Sequence, residues 1–413
     1  MNFKNILVVT DGNFNDGTGS GITLANLFKG WDFDKLGVYS VKNDRQNGGI
    51  LKGESCFLNA GKDQSEADKI IVKVGSRFEF IKKFIASSKI RPYLTVFAPI
   101  TVTDKAVQGI RLFQPEIIYS PVSDIFSIRR LLKIKKITSA RLSVVFFDDL
   151  IDRYDGLIFS RLYKWMHIKF LRHILSIADA TYVCSDAMRV EYELIFGVNF
   201  DVVSNPVDLD VVSAYRPIVP SIEPFKIVYA GTVNSKNISN LKLMSEAVKH
   251  LVGRGHQVFF EIYTFGTKLD AVQAQFQHFG KNVKVGLAPM GDHELFSILG
   301  QASILYIPMD FTEESVKSIR LSYLTKQSLY MALGVPLIVH GPLTIHVVEH
   351  ALRHKYAEVI LEDSVDSLSE KIVEHINDYE KFSRATEYGL TYARDFHCIN
   401  KVQSKFYKRL LLT

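Results

Sequence analysis

The feature that most constrains the fold of this chain is a regular alternation of short apolar segments with longer amphipathic ones. Apolar segments typical of buried strands occupy residues 5–10, 93–98, 117–122, 141–147 and 180–185, and then 226–231, 257–266, 283–289, 303–308, 336–339 and 357–362. Helical patterns lie between them, notably at 66–88, 237–255 and 364–396. Strands that alternate with helices predict parallel sheets covered on both faces, and hence an α/β fold.

The length of the chain predicts two domains, because 413 residues exceed what one ordinary hydrophobic core holds. Near residue 205 the pattern changes: segment 202–225 contains four prolines and little periodicity, and we interpret it as a linker. The predicted domains are therefore residues 1–205 and 206–390. Two similar halves that face each other leave a central cleft. Ligands of open parallel sheets bind at the carboxyl ends of the strands, so we expect the site there.

The composition is that of a globular protein, with 47% apolar and 23% charged residues. The net charge of +6 is compatible with an anionic substrate or an anionic membrane surface. We do not expect a nucleic acid partner, because the site signals described below concern a small anion. Three widely separated cysteines indicate reduced thiols in a cytoplasm. We find no signal peptide pattern and no run of 18 apolar residues.

The segment LTKQSLYMALGVPLIVHGP raises the question of why Lys326 opens a helix. A helix N-terminus carries roughly half a positive charge, so a cation in its first turn is unfavourable unless it points into water or meets an anion. Phosphate groups bind at helix N-termini, and a lysine there would clamp one. The sequence around Lys326 leaves both interpretations open.

Two glycine-containing loops follow strands that open the two halves. Gly17, Gly19 and Gly21 lie between the first strand and the next helix, which we expect to start at residue 22. Glycines there allow a ligand to approach the backbone, although a flexible surface loop is an equal alternative. The second loop, YAGTVNSKN, contains Gly231 and ends near Lys236. Lys236 and Lys326 would together balance the charge of a diphosphate.

Acidic and histidine residues offer further candidates. Asp148 and Asp149 follow the strand LSVVFF, where a carboxylate could hold a substrate hydroxyl, act as a base, or cap the next helix. His346 and His350 are spaced four apart on a helix, but the zincin order is absent. A surface helix is the favoured interpretation of these histidines. We predict no metal site.

A basic region in the first half indicates possible attachment to an anionic membrane. It comprises the aromatic and basic segment 159–173, which contains Tyr163 and Trp165, and a cluster of five cations: Arg129, Arg130, Lys133, Lys135 and Lys136. The alternative is a helix that packs its rings into the core and leaves a solvated basic rim.

Taken in order, three motifs resemble those of retaining nucleotide-sugar glycosyltransferases of the GT-B fold, of the family 4 or group 1 type. The run ADATYVCSDAM with FGVNFDVVSNPVD resembles the approach to the family's interdomain hinge. YAGTVNSKNISNLKLMSEAVKHL resembles its phosphate loop and first donor-domain helix, and TKQSLYMALGVPLIVHGP resembles its donor motif. The resemblance covers nearly the whole chain. It implies two Rossmann-like domains, for acceptor and for nucleotide sugar, with a terminal helix at about 391–413 that returns to the first.

The resemblance also implies roles for individual residues. Lys326 and Lys236 match the two lysines that bind phosphate in the family, and Thr325 matches the hydroxyl residue beside the first of them. Asp149 lies where the family places acceptor-binding or catalytic groups. Gly19 and Gly21 match the first-domain loop that faces the donor. The remaining donor-binding candidates occupy positions of the same motifs: Gly231, Thr232, Arg320 and Leu329.

This chain departs from the family pattern at several positions. Thr232 replaces an arginine that often follows the loop glycine, and Arg320 is a candidate substitute for it. Leu321 and Leu329 stand where the family has two glutamates. Glu313 and Glu314 lie in a predicted loop ahead of the motif and are candidate replacements.

The resemblance implies transfer of a sugar from a nucleotide diphosphate to a glycan acceptor. The acceptor is expected to be lipid-linked, in capsule, O-antigen or exopolysaccharide synthesis. The enzyme is expected to be cytoplasmic, with peripheral attachment to the inner face of the cell membrane as a further expectation, and to need no cofactor or metal. The alternative is a catalytically impaired, glycosyltransferase-like partner subunit. A nucleotide-sugar epimerase finds no support, because no cluster of acid and base residues is evident.

Overall fold

A computed structural model describes residues 2–12, 14, 19–41, 44, 50–53, 96–151, 160–217, 224–265, 269–289, 291–378 and 380–412. The predicted helix at 66–88, the first half of the predicted strand at 93–98, Gly17 and Cys56 lie outside these ranges. The second half of that strand was predicted wrongly, because residues 96 and 97 are helical. The chain divides into two compact units. Unit 1 comprises Met1–Val203 with Gln403–Thr413, and unit 2 comprises Ser204–Val402.

Unit 1 is built on a seven-stranded sheet with the order β3-β2-β1-β4-β5-β6-β7. Its strands are β1 (Ile6–Thr10), β2 (Leu36–Ser40), β3 (Leu51–Lys52), β4 (Ile117–Pro121), β5 (Arg141–Phe146), β6 (Ala180–Val183) and β7 (Asp201–Val202). Every pair is parallel except β2 with β3, which is antiparallel. Strands β1 and β2 are wholly buried, as expected when helices cover both faces of a parallel sheet.

Helices of unit 1 alternate with these strands. They are α1 (Gly19–Phe28), α2 (Asp104–Phe113), α3 (Ile125–Lys135), α4 (Ser160–Ser176) and α5 (Asp186–Phe196). Helix α3 starts with a capping box formed by Asp124 and Ser127, which satisfies otherwise unpaired backbone N–H groups.

Unit 2 is built on a six-stranded sheet with the order β10-β9-β8-β11-β12-β13, and all of its strand pairs are parallel. The strands are β8 (Phe225–Ala230), β9 (Val258–Thr264), β10 (Val283–Leu287), β11 (Ile304–Pro308), β12 (Leu337–His340) and β13 (Glu358–Ile360). The two mainly parallel sheets confirm the predicted α/β fold class.

The helices of unit 2 are α6 (Leu209–Ser213), α7 (Ile238–Gly253), α8 (Leu269–Phe276), α9 (Asp292–Gly300), α10 (Glu313–Ile319), α11 (Thr325–Leu333), α12 (His346–His354), α13 (Val365–Asn377) and α14 (Glu380–Tyr392). A π-helical turn, Ala393–His397, then leads into α15 (Ile399–Leu412). The predicted linker is more structured than expected, since it contains α6, and Val207 forms a parallel bridge with Cys398.

The end of α15 belongs to unit 1, where its aromatic side chains complete the core. The ring of Phe406 lies 5.6 Å from that of Phe28 and 5.3 Å from that of Tyr119. The hydroxyl of Tyr407 donates to the carbonyl of Leu27 over 2.7 Å. Buried aromatic pairs of this kind contribute about 0.5–1.5 kcal/mol each beyond the area that they bury. The sequence-distant C-terminal segment is therefore an integral part of this unit.

Each sheet has a point at which the chain order reverses. In unit 1, β1 lies between β2 and β4, and in unit 2, β8 lies between β9 and β11. The loop after the first strand of each sheet and the loop after its neighbour on the other side therefore run in opposite directions at the carboxyl edge of the sheet. In open α/β sheets, this topological switch point is where ligands bind.

Candidate functional site

The switch point of unit 2 brings together the loop after β8 and the loop after β11. Strand β8 ends at Ala230 and is followed by Gly231 and Thr232. The carbonyl of Lys236, farther along the same loop, accepts a hydrogen bond from the N–H of Asp310 over 3.0 Å. The hydroxyl of Ser315 donates to the carbonyl of Ser235 over 3.0 Å. These bonds hold the glycine loop against the end of the neighbouring strand.

Lys326 reaches the same edge from the first turn of α11. Its amine donates to the hydroxyl of Tyr229 over 3.0 Å and lies 4.1 Å from the centroid of that ring. Within the described ranges, no carboxylate forms an ion pair with this amine. Burial lowers the pKa of Lys326 to about 7. The site therefore holds a cation whose protein contacts are neutral, and an anion would complete it electrostatically.

Helix α11 presents backbone donors beside that amine. Its N-cap residue is Leu324, whose side chain makes no capping hydrogen bond. The first N–H groups of a helix need partners from outside the helix, and they carry partial positive charge. An amine and an uncapped helix start at one edge form an arrangement suited to a phosphate group.

Gly231 is a glycine for steric reasons. A Cβ atom built at this position would lie 2.2 Å from Nζ of Lys326 and 2.8 Å from the hydroxyl oxygen of Tyr229. Real Cβ atoms do not approach other heavy atoms so closely. Any side chain at this position would therefore displace the amine. The glycine loop and the lysine, which the sequence analysis singled out separately, are in direct contact.

Tyr229 is the residue that sequence reasoning missed. Its side chain is buried, its hydroxyl donates to the carbonyl of Thr232 over 2.8 Å, and it accepts from the amide of Asn237 over 2.9 Å. With the bond from Lys326, the one donor and two acceptor sites of a phenol are all used. The only sequence signal was a tyrosine in a buried strand, whose polar tip needs a partner.

Three further predicted donor-binding residues lie in the same unit. Thr325 is the first residue of α11, and its carbonyl accepts from the amide of Asn205 over 3.3 Å. Arg320 follows α10, and its carbonyl accepts from the N–H of His346 over 2.8 Å. Leu329 is partly buried and packs against the apolar core of unit 2. Contacts of these residues with a donor stay predictions.

Two local expectations, one in each unit, were wrong. Glu313 and Glu314 do not lie in a loop but form the first turn of α10, where acidic residues favour the helix dipole. Gly19 and Gly21 lie within α1, which starts three residues earlier than expected. The hydroxyl of Thr23 donates to the carbonyl of Gly19 over 2.9 Å, which stabilises that first turn.

The predicted acidic pair is divided between surface and interior. Asp148 is exposed, whereas Asp149 has no exposed surface. The carboxylate of Asp149 accepts from the N–H of Ile151 over 3.1 Å and from the hydroxyl of Tyr192 over 3.4 Å. These bonds order the loop that follows β5. A catalytic role for either aspartate stays a prediction.

The predicted basic region is not one continuous exposed surface. Arg130 is buried in an ion pair with Asp11, and Tyr163 is a core residue that packs with Val96 and Ile125, so both assignments to a membrane face were wrong. Trp165 is 54% exposed, and the centroid of its ring lies 3.9 Å from the amine of Lys169. No helix in the described ranges is long and apolar enough to cross a bilayer.

The predicted surface location of His346 and His350 was also wrong, because both are buried. The ring nitrogens of His350 lie 2.9 Å and 2.8 Å from the hydroxyls of Tyr356 and Tyr392. Burial lowers the pKa of His350 to about 2, so this ring is neutral and serves packing. Among the described residues, no three His, Cys, Asp or Glu side chains are grouped as a metal ion would require.

Comparisons with known proteins give a match in structure. No protein-family model and no curated protein matches the sequence. Sucrose-phosphate synthase from Thermosynechococcus elongatus superposes with a TM-score of 0.65 at 10% identity, covering 99% of this chain and 100% of the other. HepE of Anabaena in complex with UDP gives 0.62 at 13% identity, with coverage of 99% and 100%. A glycosyltransferase from Rickettsia africae gives 0.59 at 12% identity, with coverage of 100% and 99%. Because the sequence identities are 13% or lower, these matches establish a shared fold, which is of the GT-B type.

Proposed function

We propose that this chain is a glycosyltransferase that binds a nucleotide-diphosphate sugar at the carboxyl edge of the sheet of unit 2. The observation that carries the proposal is the amine of Lys326, which is held beside Gly231 by Tyr229 without a carboxylate partner in the described ranges. The UDP bound to HepE, a protein of the same fold, supports a nucleoside diphosphate as the anion.

The chemistry follows from the charge that develops during transfer. When the bond between the sugar and the diphosphate breaks, negative charge accumulates on the departing diphosphate. Donors fixed in advance at that position stabilise the transition state more than the ground state. In this proposal, Lys326 and the N–H groups at the start of α11 bind one phosphate. Lys236 and the backbone around Gly231 and Thr232 bind the other.

The remaining assignments rest on the resemblance of the sequence motifs. Unit 1 would bind a glycan acceptor, and Asp148 or Asp149 is the acidic residue that the resemblance assigns to acceptor binding or catalysis. Arg320, Thr325 and Leu329 would contribute to the donor pocket. We expect retention of configuration, and no requirement for a metal ion, because two lysines suffice to balance a diphosphate. Synthesis of a surface polysaccharide in the cytoplasm is the role that these motifs favour.

Calorimetry tests the donor site directly. UDP, GDP and ADP would be titrated into the full chain and into Lys326→Ala and Lys236→Ala variants. A charge-assisted hydrogen bond contributes about 1.5–3 kcal/mol, so each variant should bind the preferred nucleotide about tenfold or more weakly. Lys249→Ala is a matched control, since Lys249 is an exposed lysine on α7. Unchanged affinity in both site variants would remove the phosphate assignment.

A non-catalytic partner subunit is the second candidate. Leu321 is buried, and Leu329 packs on the core, at positions where the resembled family has glutamates. A leucine cannot hydrogen-bond a ribose or a sugar hydroxyl. Nucleotide binding without donor hydrolysis or sugar transfer, tested with a mixed donor panel and a membrane extract, would favour this candidate.

Peripheral attachment to an anionic membrane is also proposed, now through α4 alone. Its exposed side chains combine apolar groups with cations: Arg161, Leu162, Trp165, Lys169 and Arg172. An exposed tryptophan beside cations suits the headgroup region of a bilayer. A lipid-linked acceptor would remain at that surface.

A further inference from the structure

The switch point of unit 1 carries a polar pair that the proposed donor chemistry does not use. Asp11 follows β1 directly, and Ser123 lies just beyond the end of β4. The hydroxyl of Ser123 donates to Oδ2 of Asp11 over 3.0 Å, which joins residues 112 positions apart. Strands β1 and β4 are neighbours, and the chain leaves β1 toward β2 on the opposite side. Asp11 therefore lies where ligands of open α/β sheets bind.

The partner of Asp11 is a buried arginine. Arg130 on α3 pairs with Oδ1 of Asp11, and its guanidinium carbon lies 4.6 Å from the centroid of the Phe126 ring. The side chain of Arg130 is 5% exposed, whereas that of Asp11 is 45% exposed. The pair is thus asymmetric. The arginine is fixed in the protein, and the carboxylate faces outward.

The carboxylate retains capacity to accept hydrogen bonds. An ionised carboxylate offers about four lone-pair sites. Among the described residues, Arg130 uses one lone-pair site on one oxygen and Ser123 uses one on the other. Since the guanidinium balances the charge of Asp11, the exposed oxygens are better suited to neutral hydroxyl donors than to a cation. Held by two partners, they are also preorganised, which lowers the entropic cost of binding.

We infer that Asp11 binds a hydroxyl group of a sugar at the switch point of unit 1, with Arg130 and Ser123 as positioning residues. The choice of a sugar as the ligand class rests on the proposed transferase function. The location of the site rests on the geometry of unit 1 alone. If the inference is correct, the acceptor of the transfer reaction is the sugar held here.

Saturation-transfer NMR with simple methyl glycosides tests this site. The probes are the methyl α- and β-glycosides of glucose, galactose, mannose and N-acetylglucosamine, added to the full chain. We expect at least one to bind the unaltered protein, and Asp11→Asn to weaken it about tenfold or more, as for loss of a charge-assisted hydrogen bond. Asp34→Asn is the matched control, because Asp34 is an exposed aspartate of the same unit.

Removing one member of a buried ion pair can unfold a protein, so a second variant is needed. Asp11→Asn combined with Arg130→Met removes both charges, and it should keep the fold while losing the glycoside. UDP affinity, measured in parallel, should be unchanged in both variants, so a failure of the donor site would be seen separately. The inference is overturned if no glycoside binds the unaltered protein, or if binding persists in the folded double variant.

Discussion

The amine of Lys326 and the hydroxyl of Tyr229 are hydrogen-bonded over 3.0 Å, although 97 positions separate the two residues in the chain. This bond joins the start of α11 to the end of β8. It fixes the direction in which this first-turn lysine points. The amine is aimed across the switch point of the sheet, and its position depends on a tyrosine and a glycine of another segment.

The first prediction is that Lys326→Met stabilises the ligand-free protein. The folded protein lowers the pKa of Lys326 from 10.5 to about 7, which means that protonation opposes folding. This penalty is fully present below pH 7 and is relieved as the pH rises toward 10.5. At pH 6–7 the variant should gain about 1–4 kcal/mol in free energy of unfolding. Urea unfolding measures this gain in free energy. A gain that increases above pH 9 would contradict the prediction.

The second prediction concerns the pH dependence of donor binding. UDP-glucose is a suitable probe, since its diphosphate does not titrate near neutrality. An anion binds the protonated amine, so affinity should be highest below the pKa of about 7 and should fall by about tenfold between pH 6 and pH 8. Lys326→Arg stays protonated throughout and should give a flat profile. A flat profile in the unaltered protein would show that Lys326 does not face the diphosphate.

The third prediction is that Tyr229→Phe shifts this pH profile. The hydroxyl accepts a hydrogen bond from the amine, and its loss disfavours the protonated lysine. The midpoint for UDP-glucose binding should therefore move to lower pH, with weaker affinity at pH 7.5. Tyr263→Phe on the adjacent strand β9 is the matched control, because its hydroxyl bonds Glu261 instead. Equal midpoints in both variants would count against the positioning role of Tyr229.

The fourth prediction is that Gly231→Ala weakens nucleotide binding while leaving the protein folded. The added methyl group would occupy the place of the Lys326 amine, 2.2 Å from Nζ, and a flexible lysine can move away. Affinity for UDP should fall about tenfold or more, as in Lys326→Ala. Gly253→Ala, at a position with no heavy atom within 4 Å of the added carbon, should bind normally. Unchanged UDP affinity in Gly231→Ala would mean that binding does not require the Lys326 amine beside Gly231.

The sequence predicts most strands of the two sheets because they lie in apolar runs of four or more residues. Strands β2, β3 and β7 were missed. Gly37 interrupts the apolar residues of β2, and the two-residue strands β3 and β7 carry no periodic signal. Gly231 and Lys326 were recognised through their motifs, but Tyr229 resembles any core aromatic residue. Its role depends on a contact with a residue 97 positions away. Arg130 was misassigned for the same reason, because its partner Asp11 is 119 positions away.

Helix starts and burial of polar groups are set by tertiary contacts that a local pattern does not contain. Gly19 and Gly21 were expected in a loop because glycine disfavours helices, yet they form the first turn of α1. His350 was expected at the surface because charged residues surround it in sequence. The hydroxyls of Tyr356 and Tyr392 satisfy its two nitrogens and allow its burial.

The last prediction is that α4 attaches the protein to anionic vesicles. Its exposed cations Arg161, Lys169 and Arg172 flank Leu162 and Trp165, which are 52% and 54% exposed. Cations near an anionic bilayer contribute about 1 kcal/mol each, so replacing all three with glutamine should weaken binding by about a hundredfold.

Co-sedimentation with vesicles containing phosphatidylserine would measure the affinity at low and at high salt. Screening should release the protein, because exposed charges lose most of their attraction beyond about 8–10 Å at physiological ionic strength. Trp165→Ala should weaken binding independently of salt, since the indole acts by burial at the headgroup level. Replacing Lys249, Arg254 and Lys281, three exposed cations of unit 2, controls for net charge. If the α4 variants and this control sediment equally, the basic face of α4 is a solvated surface.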